Sequence, residues 1–372
     1  MGKNWIENFE GIWREPKATA RNWREKNKGK VIGWAIPDAP EELILAAGAF
    51  PLALLGEGIA FSGADAHFQG FACSYSRSLL ELITRGELDF LDALIIPHTC
   101  DAMRAFDLVV KDLANIASVE TYRPPRVKDN EASIRYLREE IERIRNHLGK
   151  ITGRYPDTED IRRASHTVNA LKAGLKDLKK EMNSGRVTAM EFFSAVQAGM
   201  VGDKKEVSSL IKEFVSEAEK RAPSKKGTRI VLAGKVAEPV EIISEIESAG
   251  FHIVDDLLVN GSRYVESEVD LNKEPITALV EAQLNKIPIA GFYHRKESRS
   301  KRIIKRVKDS QAQAVIYLIQ KFCEPYEMEV VGVEEDLKKA GIPVLRLETD
   351  YQQSSLAPLR TRIDAFYEML SR

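Results

Sequence analysis

Short apolar runs alternate with helical segments along this chain, and the alternation occurs in two separate series. The strand-like runs are residues 31–36, 50–56, 92–97 and 117–122 in the first series, and 228–234, 251–258, 287–291, 314–320 and 342–348 in the second. Such alternation is typical of parallel sheets that are covered by helices. The sequence therefore predicts an α/β fold with two lobes.

Helical segments precede and separate the two series. Residues 1–30 have the pattern of an amphipathic helix, and residues 123–226 contain helical patterns without a strand-like run. Opposite charges three or four residues apart in this second region are typical of solvated helix faces. We predict an N-terminal helical segment, a first lobe, a helical insertion with a linker, and a second lobe with a C-terminal helix. The expected ranges are 1–30, 31–125, 126–226 and 227–372.

The composition excludes several classes of protein. The 372 residues are 44% hydrophobic, which is enough for two folded cores, and 55 basic against 56 acidic residues argue against a nucleic-acid binder. The longest uncharged run, residues 43–56, is too short to span a membrane. Three cysteines give no even disulfide framework, and the N-terminus lacks the apolar core of a signal peptide. A cytoplasmic location is therefore expected.

The familiar catalytic motifs are absent from the sequence. It has no Walker A motif, no G-x-G-x-x-G, no G-x-S-x-G, no H-E-x-x-H and no C-x-x-C. These absences argue against nucleotide hydrolysis, serine hydrolysis and common zinc chemistry.

The cysteines lie in similar surroundings. LDALIIPHTC and AQAVIYLIQKFC each run from an apolar strand into a cysteine (Cys100 and Cys323), and Cys73 lies in a loop rich in polar residues and glycine. Loops at the carboxyl ends of parallel strands form ligand crevices, so the cysteines could face a cleft between the lobes. Three thiolates suit a four-iron, four-sulfur cluster with one open iron. Simple packing of each cysteine, or zinc held by three cysteines and a histidine, are the alternatives.

Polar residues near the cysteines are candidates for proton transfer or for hydrogen bonds to a cluster. These residues are Glu57, His67, Gln69, His98, Asp101 and Arg104. Loop solvation is the alternative for Glu57, a helix N-cap for Asp101 and a surface ion pair for Arg104.

Several separated motifs, taken in order, resemble one known family. The segments ADAHFQGFACSYSRS, DFLDALIIPHTCDAMR, DDLLVNGSRY, YLIQKFCEPY and LETDYQQSSLAPLRTRIDAFYEML are similar to those of the benzoyl-CoA reductase / 2-hydroxyacyl-CoA dehydratase subunit family. The likeness covers nearly the whole chain apart from the charged middle region.

The resemblance implies two Rossmann-like lobes and one [4Fe–4S] cluster per chain, held by Cys73, Cys100 and Cys323 with one iron open. It also implies a heterodimer with a homologous larger subunit, and an ATP-hydrolysing [4Fe–4S] activator that delivers single low-potential electrons. The implied substrate is an acyl-CoA. Reductases of this family dearomatise benzoyl-CoA, whereas the dehydratases eliminate water from a 2-hydroxyacyl-CoA through a ketyl radical. Within this framework Glu57, His67 and His98 are the predicted acid–base residues.

The context FQGFACS, in which Ser74 follows Cys73, favours a reductase subunit, because many dehydratases have proline after that cysteine. The alternatives are a dehydratase subunit and a subunit that relays electrons to a partner's cluster. Residues 261–264 and the basic stretch 295–306 are candidates for contacts with CoA. Outside the family, the chain could be a two-lobed binding module that closes by hinge motion, or a structural partner.

Overall fold

The computed structural model describes residues 3–224, 227–293, 297–352 and 355–371, and these residues contain two parallel sheets. The first sheet, in the order β2-β1-β3-β4, consists of β1 (Val31–Ala35), β2 (Phe50–Leu54), β3 (Ala93–Pro97) and β4 (Val119–Tyr122). The second sheet, in the order β6-β5-β7-β8, consists of β5 (Thr228–Gly234), β6 (Phe251–Asp256), β7 (Ala314–Gln320) and β8 (Val344–Thr349). The predicted α/β fold with two lobes is confirmed.

Helices cover both sheets. The N-terminal part of the chain contains α1 (Trp5–Trp13), α2 (Pro16–Asn27), α3 (Glu41–Ala46), α4 (Gly63–His67), α5 (Ser74–Thr84) and α6 (Asp101–Leu113). The predicted helical insertion contains α7 (Glu131–Thr152), α8 (Thr158–Ser184), α9 (Ala189–Val201) and α10 (Lys204–Ala218). The second lobe contains α11 (Ile242–Ser248), α12 (Ser262–Val265), α13 (Pro275–Asn285), α14 (Arg299–Asp309), α15 (Glu324–Lys339) and α16 (Ala357–Ser371).

None of these helices, in the part of the chain that the structure describes, is long and apolar enough to cross a membrane. The domain boundaries given above stay predictions. The segment APSKKG, residues 222–227, is the predicted linker, and part of it lies outside the described residues.

Helix α9 connects the two lobes through the core. Its sequence, AMEFFSAVQAGMV, is apolar on nearly every side, and Glu191 is the only one of its residues that is not buried. The helix packs against α1 and α8, and it also contacts β2 of the first sheet and β6 of the second. A helix that is apolar all round belongs in a protein interior, so α9 gives the two lobes one continuous core.

Three local predictions are wrong. The described part of residues 1–30 forms two helices rather than one, because Pro16 has no N–H to continue α1 and instead begins α2. The loop predicted at 57–72 contains the short helix α4. The run 287–291 forms no strand, because Pro288 cannot donate a ladder hydrogen bond. Residues 287–290 are buried without regular structure, and Gly291 is exposed.

A buried ion pair joins the two lobes. Asp38, in the loop that follows β1, accepts hydrogen bonds of 2.9 Å from Arg263 of α12, and both side chains are almost fully buried. Arg263 also donates to the carbonyl oxygen of Pro37, and Lys286 lies 3.4 Å from the Asp38 carboxylate. Burial alone would raise the pKa of Asp38, but the charges of Arg263, Lys286 and Lys128 lower it to about 2. The carboxylate is therefore fully ionised at neutral pH.

We expect Asp38→Asn to destabilise the protein at pH 7 by about 3 to 5 kcal/mol, because it leaves buried cations without their carboxylate. The pKa of Asp38 in the folded protein lies below its ordinary value. The stabilisation is therefore fully present at pH values above the ordinary pKa, and it is lost as the pH falls towards about 2. Urea unfolding between pH 7 and pH 3 measures the difference. Glu87→Gln is the control, because it breaks an exposed pair with Lys17 that contributes at most about 1 kcal/mol. A loss at pH 7 no larger than that of the control would contradict the prediction.

Candidate functional site

Each cysteine lies at the N-cap position of a helix: Cys73 precedes α5, Cys100 precedes α6 and Cys323 precedes α15. Cys100 follows the end of β3, and Cys323 follows the end of β7 at the same spacing. Because β3 and β7 occupy the same position in the two sheets, these two cysteines have equivalent places in the two lobes. A helix N-terminus favours negative charge, so this position opposes the effect that burial has on each thiol.

The three cysteines line a single cavity of about 40 Å³ between the lobes. The structure therefore brings the predicted trio together, with Cys73 and Cys323 buried and Cys100 half-buried. The rest of the wall is mostly apolar and consists of Ile36, Pro37, Tyr75, Thr99, Met103, Lys235, Val259, Ile289, Ala290, Pro325 and Tyr326.

Lys235 is a site residue that the sequence analysis missed. It follows Gly234 at the end of β5, where the backbone has a φ of 118° and a Cβ atom would lie 1.9 Å from the carbonyl oxygen of Leu318. Its Nζ atom donates a hydrogen bond of 3.6 Å to the Sγ atom of Cys73 and lies 5.3 Å from the centre of the Tyr75 ring. No carboxylate forms an ion pair with it among the described residues. The sequence contained a signal for this residue, because Lys235 comes directly after strand β5, as Cys100 and Cys323 come shortly after β3 and β7.

The Lys235 ammonium and the cysteine sulfurs influence one another. Burial alone would raise the pKa of Cys73, but the charge of Lys235 and hydrogen bonds involving Ser76 lower it below its ordinary value. Burial and the nearby Cys73 raise the pKa of Cys100. Burial raises the pKa of Cys323 to about 12, although Lys235 opposes the shift. Cys73 is thus the sulfur that most readily becomes a thiolate.

Glu57 lies outside the cysteine cavity. It is exposed and lines a larger cavity of about 530 Å³, which also has Glu238 and Tyr351 on its wall. Partial burial raises the pKa of Glu57, and burial raises the pKa of Glu238 to about 8. The rings of Tyr351 and Tyr75, whose centres are 6.2 Å apart, lie between the two cavities.

The predicted histidines also lie elsewhere. His67 is exposed at the end of α4, and Gln69 is exposed two residues later. His98 is half-buried, and its Nε2 atom lies 2.8 Å from Oδ2 of Asp107. Burial lowers the pKa of His98, although Asp107 opposes the shift. Among the described residues, then, none of the three predicted acid–base residues lines the cysteine cavity, and their catalytic roles stay predictions.

The remaining candidates have structural partners. Asp101 and Arg104 form an exposed ion pair of 3.5 Å, which confirms the surface alternative for Arg104. The N-cap of α6 is Cys100 and not Asp101, so the capping alternative for Asp101 is wrong. Arg263, in the proposed CoA motif at 261–264, is buried against Asp38 and is not available to a phosphate. Part of the basic stretch forms α14, while its residues Arg295 and Lys296 lie outside the described residues.

The donor set suits a cluster better than a single ion. In the described ranges, no three His, Cys, Asp or Glu side chains are arranged to hold one metal ion, so the zinc alternative gains no support. A single zinc ion draws each thiolate to about 2.3 Å, whereas a cluster spreads its bonds over several metal atoms. Three sulfurs on one buried wall, with a cation beside them, fit a [4Fe–4S] cluster held by Cys73, Cys100 and Cys323.

Comparison with protein families matches residues 38–370 to one family model, described as 2-hydroxyglutaryl-CoA dehydratase, D-component. The chain belongs to this family. The resemblance found in the sequence motifs is thereby confirmed across nearly the whole chain.

Curated relatives of this D-component family member are subunits of larger enzymes. The (R)-phenyllactyl-CoA dehydratase beta subunit of Clostridium sporogenes is 26% identical over 98% of both chains. A benzoyl-CoA reductase subunit of Thauera aromatica is 25% identical over 98% of this chain and 97% of its own. The beta subunit of (R)-2-hydroxyglutaryl-CoA dehydratase of Acidaminococcus fermentans is 25% identical over 98% of both. Reductase and dehydratase subunits are therefore similarly distant from this family member.

We expect Lys235→Met to raise the pKa of Cys73 in the iron-free protein, because burial then acts on the thiol without an opposing charge. The fraction of thiolate falls, so alkylation of Cys73 at pH 7 to 8 slows. The measurement is the alkylation rate against pH, followed by mass spectrometry of the peptide that contains Cys73. Lys235→Arg keeps the charge and serves as the control. A profile for Lys235→Met that matches the wild type would contradict the expected role of the lysine.

Proposed function

We propose that the chain is the iron–sulfur subunit of an acyl-CoA reductase of the benzoyl-CoA reductase type, in which it transfers single low-potential electrons. The observation that carries this proposal is the meeting of three cysteines, from loops far apart in the sequence, on the wall of one interlobe cavity. The family membership supports it. The proposed partners are a homologous larger subunit and an ATP-hydrolysing [4Fe–4S] activator. The free thiols suit a reducing compartment such as the cytoplasm.

A [4Fe–4S] cluster in this cavity supplies one-electron transfer. Cys73, Cys100 and Cys323 hold it and leave one iron without a protein ligand. Lys235 donates a hydrogen bond to the sulfur of Cys73 and places a positive charge beside the group. The apolar wall, which includes Val259 and Ile289, keeps water away from the sulfurs.

A relay role for this chain is favoured by the position of the acid–base candidates. Reduction of an acyl group needs proton donors at the reacting atoms, and the predicted donors Glu57, His67 and His98 lie outside the cysteine cavity. Lys235, the cation on the cavity wall, is engaged with the sulfur of Cys73. In this form of the proposal, Cys73, Cys100 and Cys323 would hold a cluster that supplies one-electron transfer towards the larger subunit, and the acyl group would be reduced in that subunit.

A dehydratase subunit is the second candidate. Relatives named as beta subunits of dehydratases match 98% of the chain, as does the reductase subunit. The same cysteines and lysine serve either reaction, so the choice depends on the partner and its substrate.

The test of the cofactor is anaerobic purification followed by iron and sulfide analysis. We expect about four iron and four sulfide per chain, with visible absorbance that oxygen bleaches. Cys323→Ser should lose most of this iron, because it removes the ligand that the second lobe contributes. Thr99→Ser is the matched control, since it alters the same wall without removing a sulfur. A colourless and iron-free wild-type protein, purified without oxygen, would contradict the proposal.

The test of the reaction uses the chain with its larger subunit and activator, without oxygen and with ATP. We expect benzoyl-CoA to be reduced to a cyclic diene product. Chromatography of the thioesters measures this conversion. Water elimination from a 2-hydroxyacyl-CoA, without reduction of benzoyl-CoA, would instead identify the dehydratase. For a relay, adding substrate to this chain alone should leave the electron paramagnetic resonance spectrum of its cluster unchanged.

A further inference from the structure

The wall of the cysteine cavity contains a phenolic hydroxyl group whose hydrogen bond is unused. Tyr326, three residues after Cys323, lines the cavity and is only 4% exposed. Its hydroxyl oxygen is completely buried and has no hydrogen-bond partner in the part of the chain that the structure describes. Nearly all buried polar groups of native proteins have a partner, so a hydroxyl of this kind indicates a group that is still to be bound.

Two other donors on the same wall already have acceptors. The hydroxyl of Tyr75 donates to the carbonyl oxygen of Leu54, and the ammonium group of Lys235 donates to the sulfur of Cys73. Tyr326 differs from both, because its hydroxyl can still donate one hydrogen bond.

The hydroxyl of Tyr326 is part of the electrostatic surroundings of the sulfurs. It lies close enough to the sulfur of Cys323 and to the ammonium group of Lys235 for electrostatic interaction with both. All three groups belong to the wall of the one cavity. The unused donor is therefore near the atoms that would hold a cluster.

A buried guanidinium group fixes the ring that carries this hydroxyl. Arg299, at the start of α14, lies over the ring of Tyr326, 4.9 Å from its centre. The guanidinium donates a hydrogen bond of 2.7 Å to the carbonyl oxygen of Pro288, and its Nε atom lies 2.8 Å from Oε2 of Glu329. A ring that is packed in the interior against a cation has little freedom to turn, so its hydroxyl keeps one direction.

Sulfur atoms are the acceptors that the proposed cluster would bring into the cavity. Sulfides and thiolate sulfurs of a [4Fe–4S] cluster accept hydrogen bonds, and these bonds help to set its reduction potential. Other residues of the wall, such as Val259, Ile289 and Pro325, have apolar side chains and supply no competing donor. A hydroxyl on such a wall has a strong effect on the charge beside it, because few other dipoles are present.

We propose that the hydroxyl of Tyr326 donates a hydrogen bond to a sulfur atom of the group that the three cysteines hold, and that Arg299 is its positioning residue. This inference rests on the proposed function, because that function supplies the cluster. A donor stabilises the negative charge that an electron adds, so it raises the reduction potential. A hydroxyl that is bonded to sulfur is not a proton source for an acyl group, which agrees with the relay form of the proposed function.

The experiment compares Tyr326→Phe with the wild type, using the full chain purified without oxygen. We expect a more negative midpoint potential in an anaerobic redox titration, because the added charge loses its donor. The variant keeps the ring and removes a hydroxyl without a partner, so the fold and the iron content should not change. Tyr317→Phe is the matched control, because it removes a buried hydroxyl 3.5 Å from the same guanidinium, outside the described cavity wall.

Electron–nuclear double resonance of the reduced protein gives a second readout, which a purely structural role of Tyr326 would not change. We expect the wild type to show a coupling from an exchangeable proton that disappears in D₂O. The same coupling should be absent in Tyr326→Phe and present in Tyr317→Phe.

Arg299→Lys tests the positioning role, because it keeps a positive charge but loses the planar group that packs on the ring. We expect a smaller shift of the potential in the same direction. The double variant Arg299→Lys/Tyr326→Phe should have the potential of Tyr326→Phe alone, since Arg299 acts through the hydroxyl. A further shift in the double variant would overturn the positioning role.

Iron and sulfide content of each preparation separates this inference from the proposed function. With a normal cluster in every variant, an unchanged potential in Tyr326→Phe, or the lack of an exchangeable-proton coupling that depends on Tyr326, would overturn the inference alone. A shift that occurs only after an acyl-CoA is added would also overturn it, because the hydroxyl would then donate to the substrate. A wild-type chain that never holds iron rejects the proposed function and this inference together.

Discussion

The buried pair between Asp38 and Arg263 is the interaction on which the site geometry depends. It fixes the loop after β1 of the first lobe against α12 of the second. The neighbouring Ile36 and Pro37 form part of the cysteine cavity, so the pair sets the distance between the two walls. Asp38 belongs to a larger buried network in which five basic side chains face three carboxylates. Its members are Asp38, Glu41, Glu42, Lys128, Lys172, Lys204, Arg263 and Lys286.

The main features of the fold could be predicted from sequence because they depend on periodic patterns. Continuous apolar runs such as β3 and β7 are buried along their whole length, as expected for central parallel strands. The run 287–291 has the same composition but contains Pro288, and the missing N–H decides against a strand. Patterns of hydrophobicity predict well which segments are buried. They do not predict which of the buried segments have backbone hydrogen-bond partners.

The cysteine site could be predicted because two of its residues follow strands, where the topology of a parallel sheet limits their position. The same rule would have identified Lys235 after β5. Glu57 and His67 lie in the region 57–72, where no periodic pattern fixes the direction of the chain. Their side-chain chemistry suggested a role, but their place depends on tertiary contacts such as the hydrogen bonds between the backbone of Glu57 and the hydroxyl of Ser78. His98 lies near Cys100 in sequence, yet it contacts Asp107 and lines a separate surface groove together with Arg104 and Arg123.

Helix α9 has a consequence for how the molecule responds to a change of charge. Because it packs on a strand of each sheet, separating the lobes would expose its apolar sides to water, at roughly 25 cal/mol for each Å². This cost opposes separation of the lobes, which argues against a module that opens and closes on its ligand. Dipoles and charges around the cysteines are then already oriented before any charge arrives in the cavity. For the iron–sulfur function proposed above, this arrangement would keep the reorganisation that accompanies an electron small.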